Sequence, residues 1–300
     1  MIIALIQSKS AVSYDPASPG ELDIERCRKL AQAEMDRGFS LVEQACEEGA
    51  DLVVTIEAFN STINLADDRY SFAEVAEPMD GAIVARFADI ARKHRAYIVA
   101  GIYTTRDERY YNSGVLFGPE GEILEVFDKV HLPAGEERVI TAGDRYPVVD
   151  TEFGKIGMLV CWDLQYPETA RELALGGVDL IVCPTWGWEK RYGLCRAYEN
   201  GVYIAAAMGV PVGGAIWEFC DPSCIVDCMG RVVAEGNRTH RCIVRAEVDI
   251  RAEPEPQYGS GAVTGWNSMR RIRMSQRRPE TYRRIVEKRP ALFDRWDRNR

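Results

Sequence analysis

The chain has 300 residues, of which 46% are hydrophobic and 28% charged, and its formal net charge is −9. This composition is typical of a globular protein with one large domain or two small ones. It contains no low-complexity tract and no apolar run long enough to span a bilayer. Met1 leads directly into the short apolar run IIALIQ, so we expect no signal peptide and a cytoplasmic location.

The charge is unevenly distributed along the chain. Residues 270–300 carry twelve Lys and Arg against four Asp and Glu, so the rest of the chain is strongly acidic. A basic tail is compatible with nucleic-acid binding. The tail also contains apolar residues such as Leu292, Phe293 and Trp296. We therefore favour an arm that docks on the acidic body of its own chain or of a partner subunit.

In the first half of the chain, strand-like and helix-like segments alternate. The predicted helices are 21–48 and 80–94, and the predicted strands are 2–7, 51–56, 97–104, 110–117 and a further strand that ends just before Lys129. The strand 51–56 is a continuous apolar run, and Glu57 follows it directly. Judged by residue type alone, Glu57 would be a solvated loop residue. Its position at the end of a buried strand is the only indication of a functional role.

The stretch from Phe153 to Gly187 reads as a buried strand, a sharp turn, a helix and a second buried strand. The apolar run 156–160 stops at Cys161, and Pro167 opens the helix. After it, the predicted elements are a strand at 178–182, a helix at 189–201 and strands at 202–209, 214–219, 224–228, 231–235 and 240–249. Backbone N–H groups at such a turn are expected to favour the thiolate form of Cys161.

The two halves of the chain resemble each other faintly. GADLVVT at 49–55 is similar to GGVDLIVCPT at 176–185, and AYIVAGIY at 96–103 is similar to VYIAAAMG at 202–209. The shared order indicates two similar β/α layers. We therefore predict an α/β fold, a four-layer αββα sandwich of two face-packed mixed sheets with outer helices.

Nine cysteines, an odd number, do not indicate a disulfide framework. Cys220, Cys224 and Cys228 are spaced by four residues, as metal ligands can be. Their segment reads as strand and turn, however, and no histidine or C-x-x-C pair is close in sequence. We interpret them as core or loop residues and predict no metal site.

Glu57, Lys129 and Cys161 each close a strand or hairpin, so one sheet edge could bring all three together. That set suits acyl transfer. Glu57 would take the thiol proton, Cys161 would attack a carbonyl or nitrile carbon, and Lys129 with the Trp162 backbone N–H would stabilise the oxyanion. A second acid from the pair at 136–137 would hold Lys129. The alternative base for the thiol is His131, although its sequence spacing gives that pairing no support.

These residues lie in motifs that resemble the carbon–nitrogen hydrolase (nitrilase-like) superfamily. The matching segments are TIEAF around Glu57, FDKVHLP around Lys129 and LVCWDLQYPETAR around Cys161, with ERVITAGD and CPTW in the expected order. The resemblance implies the αββα fold and hydrolysis of a non-peptide C–N bond through a thioester, with neither metal nor organic cofactor. It also favours Glu136 as the second acid, with Glu137 as the rival.

The resemblance further implies a domain at 1–265 and a basic C-terminal arm at 266–300 that crosses to a partner subunit of a homodimer or larger homo-oligomer. Trp186 and Tyr192 are candidates for substrate contact. The chain departs from the family pattern at Ile56, where proline is common, and at Leu164 and Gln165, where relatives that recognise a substrate carboxylate carry arginine.

The predicted function is therefore that of an amide or N-carbamoyl amide hydrolase that is active on a small molecule. A nitrilase is the alternative within the same chemistry. A catalytically idle binding scaffold and a nucleic-acid-binding protein are alternatives from other classes, the first disfavoured by the intact set of Glu57, Lys129 and Cys161.

Overall fold

The computed structural model describes residues 1–12, 24–61, 72–133, 135–212 and 214–288. The chain divides into two compact units, Met1–Ala252 and Glu253–Arg300. Two mixed β-sheets packed face to face, with helices outside them, make up the first unit. The predicted four-layer fold class is confirmed.

The secondary structure of the described residues follows the predicted alternation. The strands are β1 (Ile2–Gln7), β2 (Lys9–Val12), β3 (Leu52–Val54), β4 (Glu77–Pro78), β5 (Tyr97–Arg106), β6 (Arg109–Phe117), β7 (Ile123–Asp128), β8 (Val148–Thr151), β9 (Gly154–Met158), β10 (Leu180–Thr185), β11 (Tyr203–Met208), β12 (Val210–Val212), β13 (Cys224–Val226), β14 (Val232–Glu235) and β15 (Cys242–Glu247). The helices are α1 (Ile24–Glu47), α2 (Phe72–Val75), α3 (Ala82–His94), α4 (Pro167–Leu175), α5 (Lys190–Asn200), α6 (Ser260–Thr264) and α7 (Met269–Ser275).

The first sheet has the order β15-β1-β3-β5-β6-β7, with β4 pairing to β5, and the second has the order β14-β13-β11-β10-β9-β8. In both sheets the central strands are parallel and the outer ones antiparallel. The parallel strands are joined by helices because a parallel crossover is too long for a tight turn. A separate short pair, β2 with β12, is also parallel.

The inner faces of the two sheets meet at two glycines, and the approach is closest at Gly101. A Cβ atom on Gly101 of β5 would lie 2.5 Å from Cβ of Pro184 on β10. A Cβ atom on Gly114 of β6 would lie 3.4 Å from Sδ of Met158 on β9. Glycine at Gly101 therefore lets the end of β10 lie against β5 where any larger residue would clash.

The outer layers bury apolar helix faces. Phe39 of α1 and Phe87 of α3 pack with ring centroids 4.7 Å apart, and Phe59 joins them at 5.0 Å from Phe39. On the second sheet, Leu173 of α4 lies over Gly157 of β9. These contacts explain the helical spacing of apolar residues in the sequence.

Some local predictions were wrong. Residues 214–219 were predicted as a strand, but in the described part of this segment the backbone is irregular and forms a turn at Trp217–Cys220. The edge strand β8 was not predicted, because its sequence VVDT is short and only partly buried.

The second unit contains α6 and α7, and Ser268 caps α7 by accepting from the backbone N–H of Arg270 and Arg271. The predicted arm at 266–300 lies within this unit, and its docking on a partner stays a prediction. In the described part of the chain, the helices are too short or too polar to cross a bilayer.

Candidate active site

The candidate site is built from strand ends of both sheets. Glu57 lies three residues beyond β3, Lys129 follows β7, and Cys161 lies three residues beyond β9. A Cβ atom on Gly101 would lie 3.0 Å from Cα of Glu57 as well as against Pro184. The close approach of the sheets at this glycine therefore places the Glu57 backbone beside the end of β10.

Lys129 lies at the centre of the polar cluster and is only 2% exposed. Its Nζ lies 2.9 Å from Oε1 of Glu57 and 2.8 Å from Oε2 of Glu136. Burial acts to lower the pKa of Lys129, but Glu57, then Cys161 and Glu136, outweigh it and hold this pKa well above the ordinary value. Lys129 is thus a fixed ammonium group.

Asn112 of β6 bridges the two carboxylates. Its Nδ2 donates to Oε1 of Glu57 at 2.8 Å and to Oε1 of Glu136 at 2.9 Å. The side chain is fully buried, and the Asn112 backbone oxygen accepts from the Lys129 N–H at 2.8 Å. In the described residues, the buried Oε2 of Glu57 has no hydrogen-bond partner, so this oxygen is available as a proton acceptor.

The structure distinguishes between the two candidate second acids. Glu136 contacts Lys129 and Asn112, whereas exposed Glu137 accepts from the Gly135 backbone N–H at 2.6 Å. Burial raises the pKa of Glu136, although Lys129 acts to lower it. The geometry therefore brings Glu136, and not Glu137, to the cluster.

Cys161 stands at a turn with unusual backbone geometry. Its φ is +47°, a left-handed conformation that non-glycine residues seldom adopt. Ala58, the residue after Glu57, has φ of +53°. Such conformations cost on the order of 1–3 kcal/mol each and occur where the surrounding structure fixes them, often at functional sites. Trp162 is the second residue of the one-turn helix Cys161–Gln165, where a backbone N–H has no acceptor within the helix.

The surroundings of the Cys161 thiol favour its neutral form. Burial and then the charge of Glu57 raise its pKa to about 12, although Lys129, the Trp186 backbone N–H and the Thr185 hydroxyl act to lower it. A backbone N–H group therefore acts in the predicted direction, toward the thiolate, but burial and Glu57 outweigh it and the net effect on the pKa of Cys161 is a rise. A neutral thiol needs a base to remove its proton during attack.

Asp163 takes part in a different interaction. It is fully buried and accepts from the backbone N–H of His131 at 2.8 Å and of Val160 at 3.3 Å. Nδ1 of His131 lies 3.0 Å from Oδ1 of Asp163, and its ring stacks on Tyr166 with centroids 3.9 Å apart. Asp163 thus joins the segment after Lys129 to the Cys161 turn, and His131 pairs with Asp163 rather than serving as a thiol base.

Aromatic residues border the cluster. Tyr103 lies opposite Asn112 across β5 and β6, and burial and then the charges of Glu136 and Glu57 raise its pKa. Burial and then Cys161 raise the pKa of Tyr192, and the Tyr192 hydroxyl donates to the Gly187 oxygen at 3.2 Å. That oxygen also lies 4.0 Å from the Cys161 sulfur.

The two tryptophans after β10 differ. Trp186 is partly exposed and has its backbone beside the Cys161 sulfur. Trp188 is fully buried, and its indole Nε1 donates to the Pro222 oxygen at 2.8 Å, so it is a core residue.

The sequence reasoning missed Asn112 and Tyr103. Both lie within strands, and their only sequence signal was a polar group in a segment that is otherwise apolar. The described residues contain no cluster of three or more His, Cys, Asp or Glu that could hold a metal. Cys183, Cys220, Cys224 and Cys228 are buried free thiols.

Comparisons with known proteins agree with these motifs. Residues 24–253 match the family model for carbon–nitrogen hydrolases. The omega-amidase NIT2 of Mus musculus is 28% identical over 235 residues, which cover 72% of this chain and 83% of that protein. A nitrilase of Pyrococcus abyssi is 33% identical over 226 residues, which cover 72% of this chain and 85% of that protein.

Solved structures share the fold. The carbon–nitrogen hydrolase of Helicobacter pylori superposes with a TM-score of 0.69 at 23% identity, covering 96% of this chain and 98% of that one. An amidase of Nesterenkonia sp. AN1 gives a TM-score of 0.70 at 22% identity, covering 95% and 100%. Both similarities extend the evidence for the four-layer sandwich.

Proposed function

Because the chain belongs to the carbon–nitrogen hydrolase family, we propose that it is an amidase that cleaves a linear amide or N-carbamoyl amide through a thioester on Cys161. The observation that carries this proposal is the buried set around Lys129. Nζ of Lys129 lies 2.9 Å from Glu57, and Oε2 of Glu57 has no partner in the described residues. The charges of Glu57 and Lys129 also act on the Cys161 thiol, which supports assigning the base oxygen, the cation and the thiol to one site.

In the acylation step, Glu57 takes the proton of the Cys161 thiol as sulfur attacks the carbonyl carbon. The carbonyl electron pair moves to oxygen, where the Lys129 ammonium and the Trp162 backbone N–H stabilise the negative charge. When the tetrahedral intermediate collapses, the C–N bond breaks and Glu57 returns the proton to the leaving nitrogen. An amine or ammonia leaves, and a thioester remains.

In the deacylation step, water attacks the thioester carbon and gives a proton to Glu57. The C–S bond then breaks and the thiolate recovers that proton. We assign Glu136 to holding Lys129 and orienting this water, because its carboxylate contacts Lys129 at 2.8 Å and the Asn112 amide at 2.9 Å. After acylation and again after deacylation, Glu57 is a carboxylate and Lys129 is an ammonium group, as at the start.

A nitrilase is the second candidate, favoured by the 33% identity to the Pyrococcus abyssi nitrilase. The same thiol would add to a nitrile carbon, and the thioimidate would be hydrolysed to acid and ammonia. The products of amide and nitrile substrates separate the two candidates, because only a nitrilase consumes the nitrile.

The test is ammonia release and intact mass with a panel of small amides, ureido acids and nitriles. The wild type should release ammonia and show a substrate-sized adduct, and Cys161→Ala should do neither. Cys195→Ala, an exposed cysteine on α5, is the matched control and should behave as the wild type. Turnover by Cys161→Ala would contradict the thioester mechanism. If the wild type hydrolyses none of the substrates, the catalytically idle binding scaffold would be favoured.

We also propose a cytoplasmic homo-oligomer without a cofactor, following the sequence-based expectations. Light scattering at several protein concentrations tests the assembly, with and without residues 266–300. Retention on DNA that falls with salt and requires residues 270–300 would favour the nucleic-acid alternative.

A further inference from the structure

Three aromatic rings form a continuous strip that begins at Trp186, one residue before Gly187. The ring centroids of Trp186 and Trp217 are 5.7 Å apart, and those of Trp217 and Phe219 are 5.8 Å apart with only 10° between the ring planes. Trp217 is 48% exposed and Phe219 is 64% exposed. We call these three residues the aromatic strip.

The aromatic strip is joined to the candidate site through Trp186. Trp186 directly precedes Gly187, whose backbone oxygen lies 4.0 Å from the Cys161 sulfur, and the Trp186 backbone N–H acts to lower the pKa of that thiol. On the other side, the Trp186 indole packs so closely on Gly209 that a Cβ atom there would lie 3.1 Å from Nε1. The first ring of the strip is therefore held in place by its packing on Gly209.

Backbone hydrogen bonds also hold the loop that carries the other two rings. The Ile216 N–H donates to the Arg238 oxygen at 2.8 Å, and the Arg238 guanidinium donates to the Trp217 oxygen. The Cys220 N–H closes a turn onto the Trp217 oxygen at 3.0 Å.

The end of this loop is fixed in the same way. The Asp221 N–H donates to the Trp188 oxygen at 2.9 Å, and Oδ2 of Asp221 accepts from the Lys190 N–H at 2.7 Å. The two exposed rings thus stand on a fixed backbone, and a pre-organised surface loses little conformational freedom when a ligand binds. Exposed and contiguous large aromatic rings mark a binding surface.

Nearby cations have partners within the protein. Nζ of Lys190 lies 2.5 Å from Glu235, and Nε of Arg191 lies 2.9 Å from Glu189. Glu218, between the two exposed rings, adds a negative charge. The Arg238 guanidinium donates to the backbone oxygens of Ile216 and Trp217. The charged side chains around the strip are thus of both signs, whereas the stacked rings themselves suit a flat apolar group.

From the proposed amidase function, we propose that the aromatic strip binds a flat apolar group of the substrate, an aryl ring in particular, while the amide reaches Cys161. The ring is carried either on the acyl side or on the nitrogen side of the amide. Trp217 and Phe219 are then specificity-determining residues.

Binding to Cys161→Ala, measured by calorimetry, tests this without any chemistry. The probes are propanamide, 3-phenylpropanamide with a ring on the acyl side, and N-benzylpropanamide with a ring on the nitrogen. At least one aryl probe should bind about tenfold more tightly than propanamide, and adding Trp217→Ala or Phe219→Ala should reduce that ratio about three- to tenfold. Trp217→Phe should retain most of it, and circular dichroism should show that each variant is folded.

Tyr198→Ala is the matched control, because Tyr198 is 39% exposed and lies on α5. It should leave the ratio unchanged. Equal binding of aryl and alkyl probes, or a ratio that Trp217→Ala and Phe219→Ala both leave intact, would overturn the inference. If the wild type hydrolyses no amide but the aryl preference is present and depends on Trp217, the proposed amidase function fails while the aryl-binding strip stands.

Discussion

The Asn112 side-chain amide lies 2.8 Å from Oε1 of Glu57, inside the sandwich, and donates a hydrogen bond to it. Its second amide hydrogen goes to Glu136 at 2.9 Å, so one neutral group binds both carboxylates that share Lys129. This bond uses Oε1 of Glu57 and leaves Oε2 unpartnered in the described residues. Asn112 therefore helps to fix which oxygen of Glu57 can accept a proton.

Replacing Asn112 tests this positioning role. Asn112→Leu removes both donors at similar volume, and each hydrogen bond to a charged group contributes about 1.5–3 kcal/mol. We expect kcat/KM for an accepted amide to fall about 10- to 100-fold, with the pH profile displaced because the carboxylates lose a stabilising partner. In Asn112→Asp, kcat/KM should fall by a similar factor at neutral pH and should recover partly as the pH is lowered. An unchanged pH profile in Asn112→Leu would show that the amide only fills space.

Lys129→Met should make stability depend strongly on pH. The change leaves two buried carboxylates without their cation, a loss of about 3–5 kcal/mol near neutral pH. Burial already raises the pKa of Glu136, and without Lys129 it rises further. A carboxyl whose pKa is raised on folding binds more protons in the folded state, so the variant should regain stability as the pH falls through that folded-state pKa.

Urea unfolding of Lys129→Met and wild type at several pH values measures this difference. Lys155→Met is the control, because Lys155 forms an exposed pair with Asp150 at 3.0 Å, and it should change stability by less than about 1 kcal/mol. A stability loss in Lys129→Met that is the same at all pH values would contradict the charge argument.

The Cys161 thiol should remain protonated at neutral pH. Its pKa is raised to about 12, so thiolate forms only as the pH approaches that value. The ultraviolet difference between wild type and Cys161→Ala should therefore show no thiolate absorbance from about pH 6 to about pH 10. A titration step near neutral pH would instead indicate a stored thiolate and remove the need for Glu57 as its base.

Glu57→Gln should fold but fail to acylate. The amide retains an oxygen that can accept from Lys129, but it cannot take the thiol proton. General-base catalysis contributes about 10²- to 10⁴-fold, so acyl-enzyme formation should slow by that factor. Intact-mass analysis of reactions quenched at successive times gives the acylation rate. Glu137→Gln, at an exposed position, is the control and should acylate as the wild type does. Near-normal turnover in Glu57→Gln would reject the base assignment.

The layer pattern and the three strand-end positions could be predicted from local sequence patterns alone. Continuous apolar runs before Glu57 and Cys161 predicted buried strands, and side-chain burial is the physical reason that such runs become central strands. Lys129 could be placed at the end of a hairpin strand because turn residues mark hairpins. These are local signals, so they can be detected without the fold.

The contacts of each of these groups could be identified only in the folded chain. The pairing of Tyr103 with Asn112 across β5 and β6 depends on strand register, and the Asn112 amide contacts both carboxylates. Turn geometry predicted a lowered pKa for Cys161, but burial and Glu57 raise it. The strip from Trp186 to Phe219 likewise arises from a loop at 214–219 that was predicted as a strand. The desolvation of a side chain, the register of two strands and the packing of a loop all depend on residues that are distant in sequence. They are therefore fixed only when the chain folds.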